Sequence, residues 1–482
     1  MKNFFKKNWQ IIAVCLIAFA LFSPAITKFF THDDFYFLKI AQVSSFKDIL
    51  NFFNPVKDIA GIGVYRPLTL RVYYALAVEF FNLNPISLRI ISFATFFAVI
   101  VLVWKFIYLL TQNKKTAILA TFLYAVSVTH FGQLYYIGAF QELFLTMLFL
   151  GSVIFFIKYE MGSAKSIITS FILFVLAIMS KETAVMIPFM IILTHFFLRL
   201  SKRTKFSFKK LVVSLVPYFA VLAIYLVFHF GYFGTISGDS YVWDFSPGRA
   251  VNTLGWYSLW SMNLPEMLND FVGPGFHLNP NLLKYWSGEI IPIFILFALQ
   301  VCITVYVFFR SKIRDSKFLI LFSILWFIAT ISPVLFLPVH KFTYYLTLPL
   351  VGTVLLLSYL IQDSRFKILF CIFWIATSVL SLRLTLKTNW ITQGVGISER
   401  VYKYFNINKF DLDSKKIVFV DTPEDATLPW SPTTTLKTVL SDKNFFLVYY
   451  PDISANVEYV GLTKIVDPRD TVVIHSRQFL GY

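Results

Sequence analysis

Apolar residues recur along this chain in long runs separated by short polar knots. The runs cover residues 9–27, 87–111, 116–130, 139–158, 165–180, 184–199, 211–230, 290–309, 317–336, 343–361 and 367–386. A helix of about 20 apolar residues crosses about 30 Å of hydrocarbon. A bare backbone in lipid must pair its own polar groups, which a helix does. The pattern predicts an all-α polytopic membrane protein with about 11 transmembrane helices. The runs 116–130 and 165–180 are short, so the expected count spans roughly ten to thirteen.

Three longer segments interrupt this rhythm, about 28–86, 231–289 and 387–482. In the first, Phe46–Phe53 is amphipathic and Thr69–Phe81 is aromatic and apolar, so both suit helices lying in the membrane interface. The second holds Tyr232, Tyr241, Trp243, Trp256, Tyr257, Trp260, Tyr285 and Trp286. Such residues form either a headgroup-level belt or a wall for a sugar or a lipid. The third segment changes period. I-V-F-V (417–420), F-F-L-V-Y-Y (445–450) and T-V-V-I-H (471–475) read as strands between turn-rich stretches. They predict a small α/β or strand-rich soluble domain over 387–482, following a transmembrane domain over 1–386.

Charge supplies the orientation. The short stretches 1–8, 112–115, 158–165, 199–210, 310–317 and 362–367 hold 19 Lys and Arg residues, against Lys181 and Lys341 in the short loops of the other side. The basic side is expected to be cytoplasmic. The N-terminus then lies inside, and the C-terminus and all three long segments lie outside. The net charge of +17 becomes a topology signal and a pull toward anionic membrane lipids, which removes nucleic acid as a partner. Charged residues make up 14% of the chain, where soluble domains carry about 25%. Lys2, Lys6 and Lys7 before the first run also resemble a signal peptide, but the long run and the lack of a small-residue cleavage pattern favour a retained span. Cys15, Cys302 and Cys371 all fall within runs and read as small apolar residues. No Asn-x-Ser/Thr motif occurs, which leans toward a bacterial plasma membrane.

Polar residues gather at the outer ends of the runs: His32, Asp33 and Asp34, Arg66 in V-Y-R-P-L, Arg89, His130, Glu142, Lys181 and Glu182 in M-S-K-E-T-A, and His340 with Lys341 in P-V-H-K-F. Charges at or within spans are costly and tend to be functional. Singly, each has an ordinary reading as a solvated acid pair, a loop cap, an ion pair closing a turn or an exposed loop tip. Their order is more specific. An acid pair after the first run, Y-R-P-L before the second, S-K-E-T-A between the fifth and sixth, and a polar pair before T-Y-Y-L-T-L-P together resemble the C-type (GT-C) polytopic glycosyltransferases. The likeness is strongest to the protein O-mannosyltransferase (dolichyl-phosphate-mannose-protein mannosyltransferase) branch and covers about residues 9–386. His340 and Lys341 stand where that family often has Glu-Arg, and the tail lacks the family's tetratricopeptide repeats.

The resemblance implies a polyprenyl-phosphate-linked sugar as donor, a hexose such as mannose, and a protein, lipid or glycan acceptor. It makes Asp33 the catalytic base with Asp34 beside it. Arg66, Lys181, His340 and Lys341 would meet the donor phosphate, with Glu142, Glu182 and Arg89 in support. The chemistry suits those residue types. The leaving group is already an anionic phosphate, which calls for cations rather than a proton donor. The acceptor hydroxyl does need a base, and a placed carboxylate contributes about 10²–10⁴-fold. No residue set is expected to hold a metal, and a divalent cation stays open as a cofactor. The tail is expected to steer the acceptor. A lipid-linked-glycan flippase or transporter is the alternative, although such folds tend to show repeated halves and none is visible here.

Overall fold

The computed structural model describes residues 2–54, 63–205, 207–234, 238, 240–273, 277–310, 317–408, 416–461 and 471–481. The chain opens with α1 (Lys2–Phe22), followed by the short helices α2 (Asp33–Ile40) and α3 (Tyr73–Glu79). The bundle continues through α4 (Pro85–Thr111), α5 (Lys114–Ala125), α6 (Phe140–Glu160), α7 (Ser166–Ile178), α8 (Ile187–Leu200) and α9 (Phe208–Phe228). After α10 (Pro247–Trp260) it closes with α11 (Asn281–Arg310), α12 (Lys317–Ile331), α13 (Leu350–Ile361) and α14 (Lys367–Thr388).

Every predicted run falls on a helix, but the span count differs from the expected figure. Among the described residues, eight helices are long and apolar enough to cross a membrane, and α5 with the helical stretch after it makes a ninth, bent by 51°. The other two, α7 and α13, are shorter apolar helices. The bend has a local cause. Past Ala125 the backbone turns at Ser127, and Asn263 from the second long segment receives the Val128 amide, which a continuous helix would have paired internally, together with the Ser127 hydroxyl. Its Oδ1 accepts from Ser127 Oγ at 2.7 Å and from the Val128 amide at 3.1 Å. A broken helix is tolerated at membrane depth when neighbouring groups re-pair its backbone in this way.

One bundle core runs through α1, α4–α9 and α11–α14. The second long segment is not simply an aromatic belt. Trp256, Tyr257 and Trp260 of α10 are buried with Ile293, Phe327, Leu346 and Leu384, while Tyr232, Trp243 and Tyr285 remain exposed.

The tail starts with α15 (Trp390–Ile407) and holds a three-stranded parallel sheet in the order β4 (Val457–Val460), β3 (Lys416–Val420), β5 (Thr471–His475). A two-residue hairpin, β1 (Val272–Gly273) with β2 (His277–Leu278), lies earlier in the chain. Parallel strands need crossovers, and α16 (Pro432–Val439) and α17 (Asn444–Tyr449) supply the first. This corrects the strand expected at 445–450. Phe445, Phe446, Tyr449 and Tyr450 are spaced i, i+1, i+4, i+5, one face of a helix, and Phe445 and Phe446 are fully buried. The small-domain expectation resolves to a parallel α/β unit. Its core is shared: Phe29, Phe30, Phe35 and Leu38 before and within α2, and Tyr73 and Tyr74 of α3, pack in one cluster with Phe405, Phe419, Phe445 and Phe446.

Candidate active site

The stretch T-H-D-D forms a sharp entry into α2. His32 has φ 52° and ψ −126°, a region that costs a non-glycine residue strain. Partners on every side hold it there. Its amide donates to Val439 O of α16 at 2.8 Å, its Nδ1 lies 2.8 Å from Thr31 Oγ1, and its ring meets Trp390 edge-on at 4.8 Å. Burial lowers its pKa to about 4, so the imidazole is neutral.

The two acids then diverge. Asp34 is fully buried and accepts from Tyr74 Oη at 2.7 Å and from the Thr31 amide at 3.0 Å. Burial raises its pKa to about 7, against the pull of Tyr74 and Arg89. Asp33 is exposed at the first turn of α2 and receives Tyr136 Oη at 3.1 Å. Arg89, buried in α4, ties together the chain segments behind both groups. Its guanidinium donates to Phe29 O at 3.3 Å, two residues before Thr31, and to Leu134 O at 2.7 Å, two residues before Tyr136. Arg89 thus braces the two segments that carry the acid pair and Tyr136.

Two cation–carboxylate pairs lie in the same neighbourhood, linked to Asp33 through Tyr241. Arg66 meets Glu182 in a forked arrangement, Nε to Oε1 at 2.7 Å and Nη2 to Oε2 at 2.6 Å, and its Nη1 donates to Gln141 Oε1 at 2.7 Å. Lys181 is ion-paired with Glu142 and sits 4.6 Å from the centre of the Tyr345 ring. Both members of the second pair are buried. Buried charges are costly unless matched, and here each cation has a carboxylate of its own. The fork also locks the Arg66 plane.

Aromatic side chains connect the acid pair with the two ion pairs. Tyr136 touches Asp33 and packs edge-on against Trp390 at 5.4 Å. Tyr241 lies within electrostatic reach of Arg66, Glu182, Asp33 and Glu142 at once, and burial holds its hydroxyl above the usual value. Its ring stacks on His340 at 4.0 Å. Tyr344 and Tyr345 sit 4.7 Å apart beside the same groups. His340 has its Nδ1 2.6 Å from Ser240 Oγ, and burial, reinforced by Lys181 and Arg66, lowers its pKa to about 4.

The fold therefore gathers Asp33, Asp34, Arg66, Glu142, Lys181, Glu182 and His340 into one cluster, with Arg89 behind it. It separates two others. Lys341 turns toward Arg249 and Asp270. His130 is buried in the bundle, with Nε2 2.8 Å from Tyr124 O. Sequence reasoning did not single out Tyr136, Gln141 or Trp390. Gln141 and Tyr136 flank the start of α6 beside Glu142, so a polar cluster at the mouth of that run was the available signal. Tyr241 belongs to the aromatic set that the sequence marks as either a headgroup-level belt or a wall for a sugar or a lipid, without tying it to the charged residues. Among the described residues, no group of three or more His, Cys, Asp or Glu side chains gathers as a metal site.

No protein-family model matches the chain, and no curated protein matches it. Solved structures of an oligosaccharyltransferase from Archaeoglobus fulgidus do. The archaeal oligosaccharyltransferase AglB in complex with an inhibitory peptide and a dolichol-phosphate is 16% identical over 90% of this chain and 64% of that one, with a TM-score of 0.47. The complex with Zn and sulfate is 15% identical over 94% and 62%, with a TM-score of 0.46. The apo form is 14% identical over 95% and 65%, also at 0.46. The chain thus spans less than two thirds of the length of the structures it matches.

Proposed function

We propose that this chain is a C-type glycosyltransferase of the plasma membrane, moving a hexose such as mannose from a polyprenyl-phosphate donor to an acceptor hydroxyl on the outer face. The observation that carries the reading is the pairing of environments. One exposed carboxylate, Asp33, shares a cluster of tyrosines with two matched cations, the half-buried Arg66 and the buried Lys181. In the step that follows, the acceptor oxygen attacks C1 of the sugar as its proton passes to Asp33. The C1–O bond to phosphate breaks, and polyprenyl phosphate leaves as an anion. Arg66 and Lys181 meet that phosphate. Glu182 and Glu142 fix their positions, so little reorganisation is needed as charge develops. Tyr136 and Tyr241 line the sugar's place. The net charge of the quartet is near zero, so the cations stabilise a localised oxygen rather than attracting every anion.

The orientation belongs to the same proposal. The basic loops face the cytoplasm of a bacterial cell, and the C-terminal unit faces outward.

Asp33→Asn keeps the shape and removes the base. With a short-chain polyprenyl-phosphate mannose donor and purified protein, turnover should fall at least about 100-fold, the lower part of the general-base range. Donor binding should persist or tighten, because a negative charge near the phosphate is gone. Near-normal turnover in this variant overturns the assignment.

A further inference from the structure

At the end of the bundle where the basic short stretches converge, α1, α5 and α14 border a cleft of about 650 Å³. Its walls are apolar, with Ala13 and Val14 from α1, Phe122 from α5, and Ile372 and Ile375 from α14. Its mouth is lined by Lys114, Lys115 and Lys367, with Trp9 nearby. No carboxylate is among its described lining residues.

Two features make this more than three surface lysines. The cations sit at the wrong helix ends for stability. Lys114 and Lys115 open α5 and Lys367 opens α14, where helix dipoles favour negative charge. At α5 the Asn113 Oδ1 already takes the Lys115 and Thr116 amides, so the lysines and the remaining dipole field, not free amides, supply the attraction. The two helix starts are also tied together. Gln362, buried just before α14, accepts from Asn113 Nδ2 at 3.0 Å and from the Thr116 hydroxyl. From the lysines the lining continues to Phe122 on α5 and to Ile375 on α14, about 12 Å of helix in each case. One end is positive and the rest is hydrocarbon-like, which is the profile of a single membrane lipid with an anionic head.

We propose that this cleft binds one anionic glycerophospholipid, with its phosphate among Lys114, Lys115 and Lys367 and an acyl chain between α1, α5 and α14. The site lies at the opposite ends of these helices from Asp33 and does not depend on the glycosyltransferase reading. A zwitterionic lipid or a second copy of the chain are the competing occupants.

The test is native mass spectrometry of the full chain in mild detergent, offered equal phosphatidylglycerol and phosphatidylcholine. The wild type should retain one phosphatidylglycerol per chain with at least about tenfold preference, since each near-surface lysine strengthens attraction to anionic lipid about fivefold. The variant K114Q/K115Q/K367Q should bring the two lipids to parity. Ala13→Trp, which fills the apolar end and leaves the lysines, should lose the bound lipid as well. Parity in the wild type overturns the proposal by itself, whatever the variants do. So does wild-type preference in both variants, or a chain dimer that Ala13→Trp abolishes.

Discussion

The first turn of α2 carries two carboxylates, and helix geometry turns them about 100° apart. That rotation sends Asp34 into the core and leaves Asp33 exposed. Asp34 is the costly partner. Its carboxyl is held by Tyr74 and the Thr31 amide, yet burial still raises its pKa from the ordinary 3.8 to about 7. A raised carboxyl pKa means that the folded state prefers the protonated form. The stability this contributes is fully present below about pH 4 and is lost as pH rises through 7. A difference of this size corresponds to about 4 kcal/mol. Between pH 4 and 7 the Asp34 share of stability should therefore fall with pH, against the rise contributed by His32 and His340, whose pKa values burial lowers to about 4. Asp34→Asn, neutral throughout, should remove the falling share, so in thermal unfolding of the purified protein the variant gains stability relative to the wild type as pH rises across this range. An equal slope in the variant would mean that the Asp34 carboxyl stays charged in the fold, matched by Arg89.

At the level of elements, the site depends on α15 lying very close to T-H-D-D. Gly394 makes this possible. A Cβ placed there would stand 2.4 Å from His32 Cε1 and 2.6 Å from Thr31 Oγ1, closer than any packed contact. Gly394→Ala should push His32 out of its strained turn and move Asp33 with it. Overpacking of this kind costs typically about 1–3 kcal/mol, so the protein should still fold while turnover drops by ten-fold or more. The measurement is transfer rate beside melting temperature, with Gly461→Ala, which meets open space, as the neutral control. Unchanged turnover in Gly394→Ala would show that the α2 entry does not need this contact. The same scale explains what could be read from sequence. The eleven runs were legible because lipid enforces an apolar stretch wherever a helix sits in it. The acid pair, Arg66 and Lys181-Glu182 were legible because charge at a span end is conspicuous. The bend after Ala125 was not, since Asn263 that repairs it is more than 130 residues away. The helix at 444–449 was missed because aromatic runs suit both periods, and only the partners Phe35 and Phe419 select one. Tyr136 and Tyr241 come from distant segments, and nothing local marks them as neighbours.

For the whole molecule, the dependence between the bundle and its tail can be tested by truncation. Read from sequence, the tail is a separate unit that steers the acceptor. In the structure, the cluster around α2 and α3 is completed by α15, α16, α17 and the sheet. Phe30 and Phe35 are fully buried there, and each such phenylalanine is worth about 2 kcal/mol when removed from water. His32 also takes its backbone partner from Val439. The bundle core, by contrast, draws on almost nothing past α14. A chain ending at Thr388 should therefore keep its transmembrane helices and its lipid-facing surface but lose the geometry of the acid pair. Both sugar transfer and hydrolysis of the donor by water should fall, with helical content by circular dichroism retained in proportion to the residues left. A milder cut that removes only β5 and the residues after it spares α15 and Val439. It should leave donor hydrolysis measurable and affect transfer more. If the chain ending at Thr388 hydrolyses donor at the wild-type rate, the tail acts on the acceptor alone, and the contacts from α15 and α16 to His32 are dispensable for chemistry. Reporter fusions at residue 481 address the remaining large-scale question. They should be active in the outer compartment and silent in the cytoplasm, because the proposed orientation puts the 19 basic residues of the short loops inside. Activity in the cytoplasm would place Asp33 and the tail on the wrong side of the membrane for a donor presented outside, and would remove the proposed reaction with them.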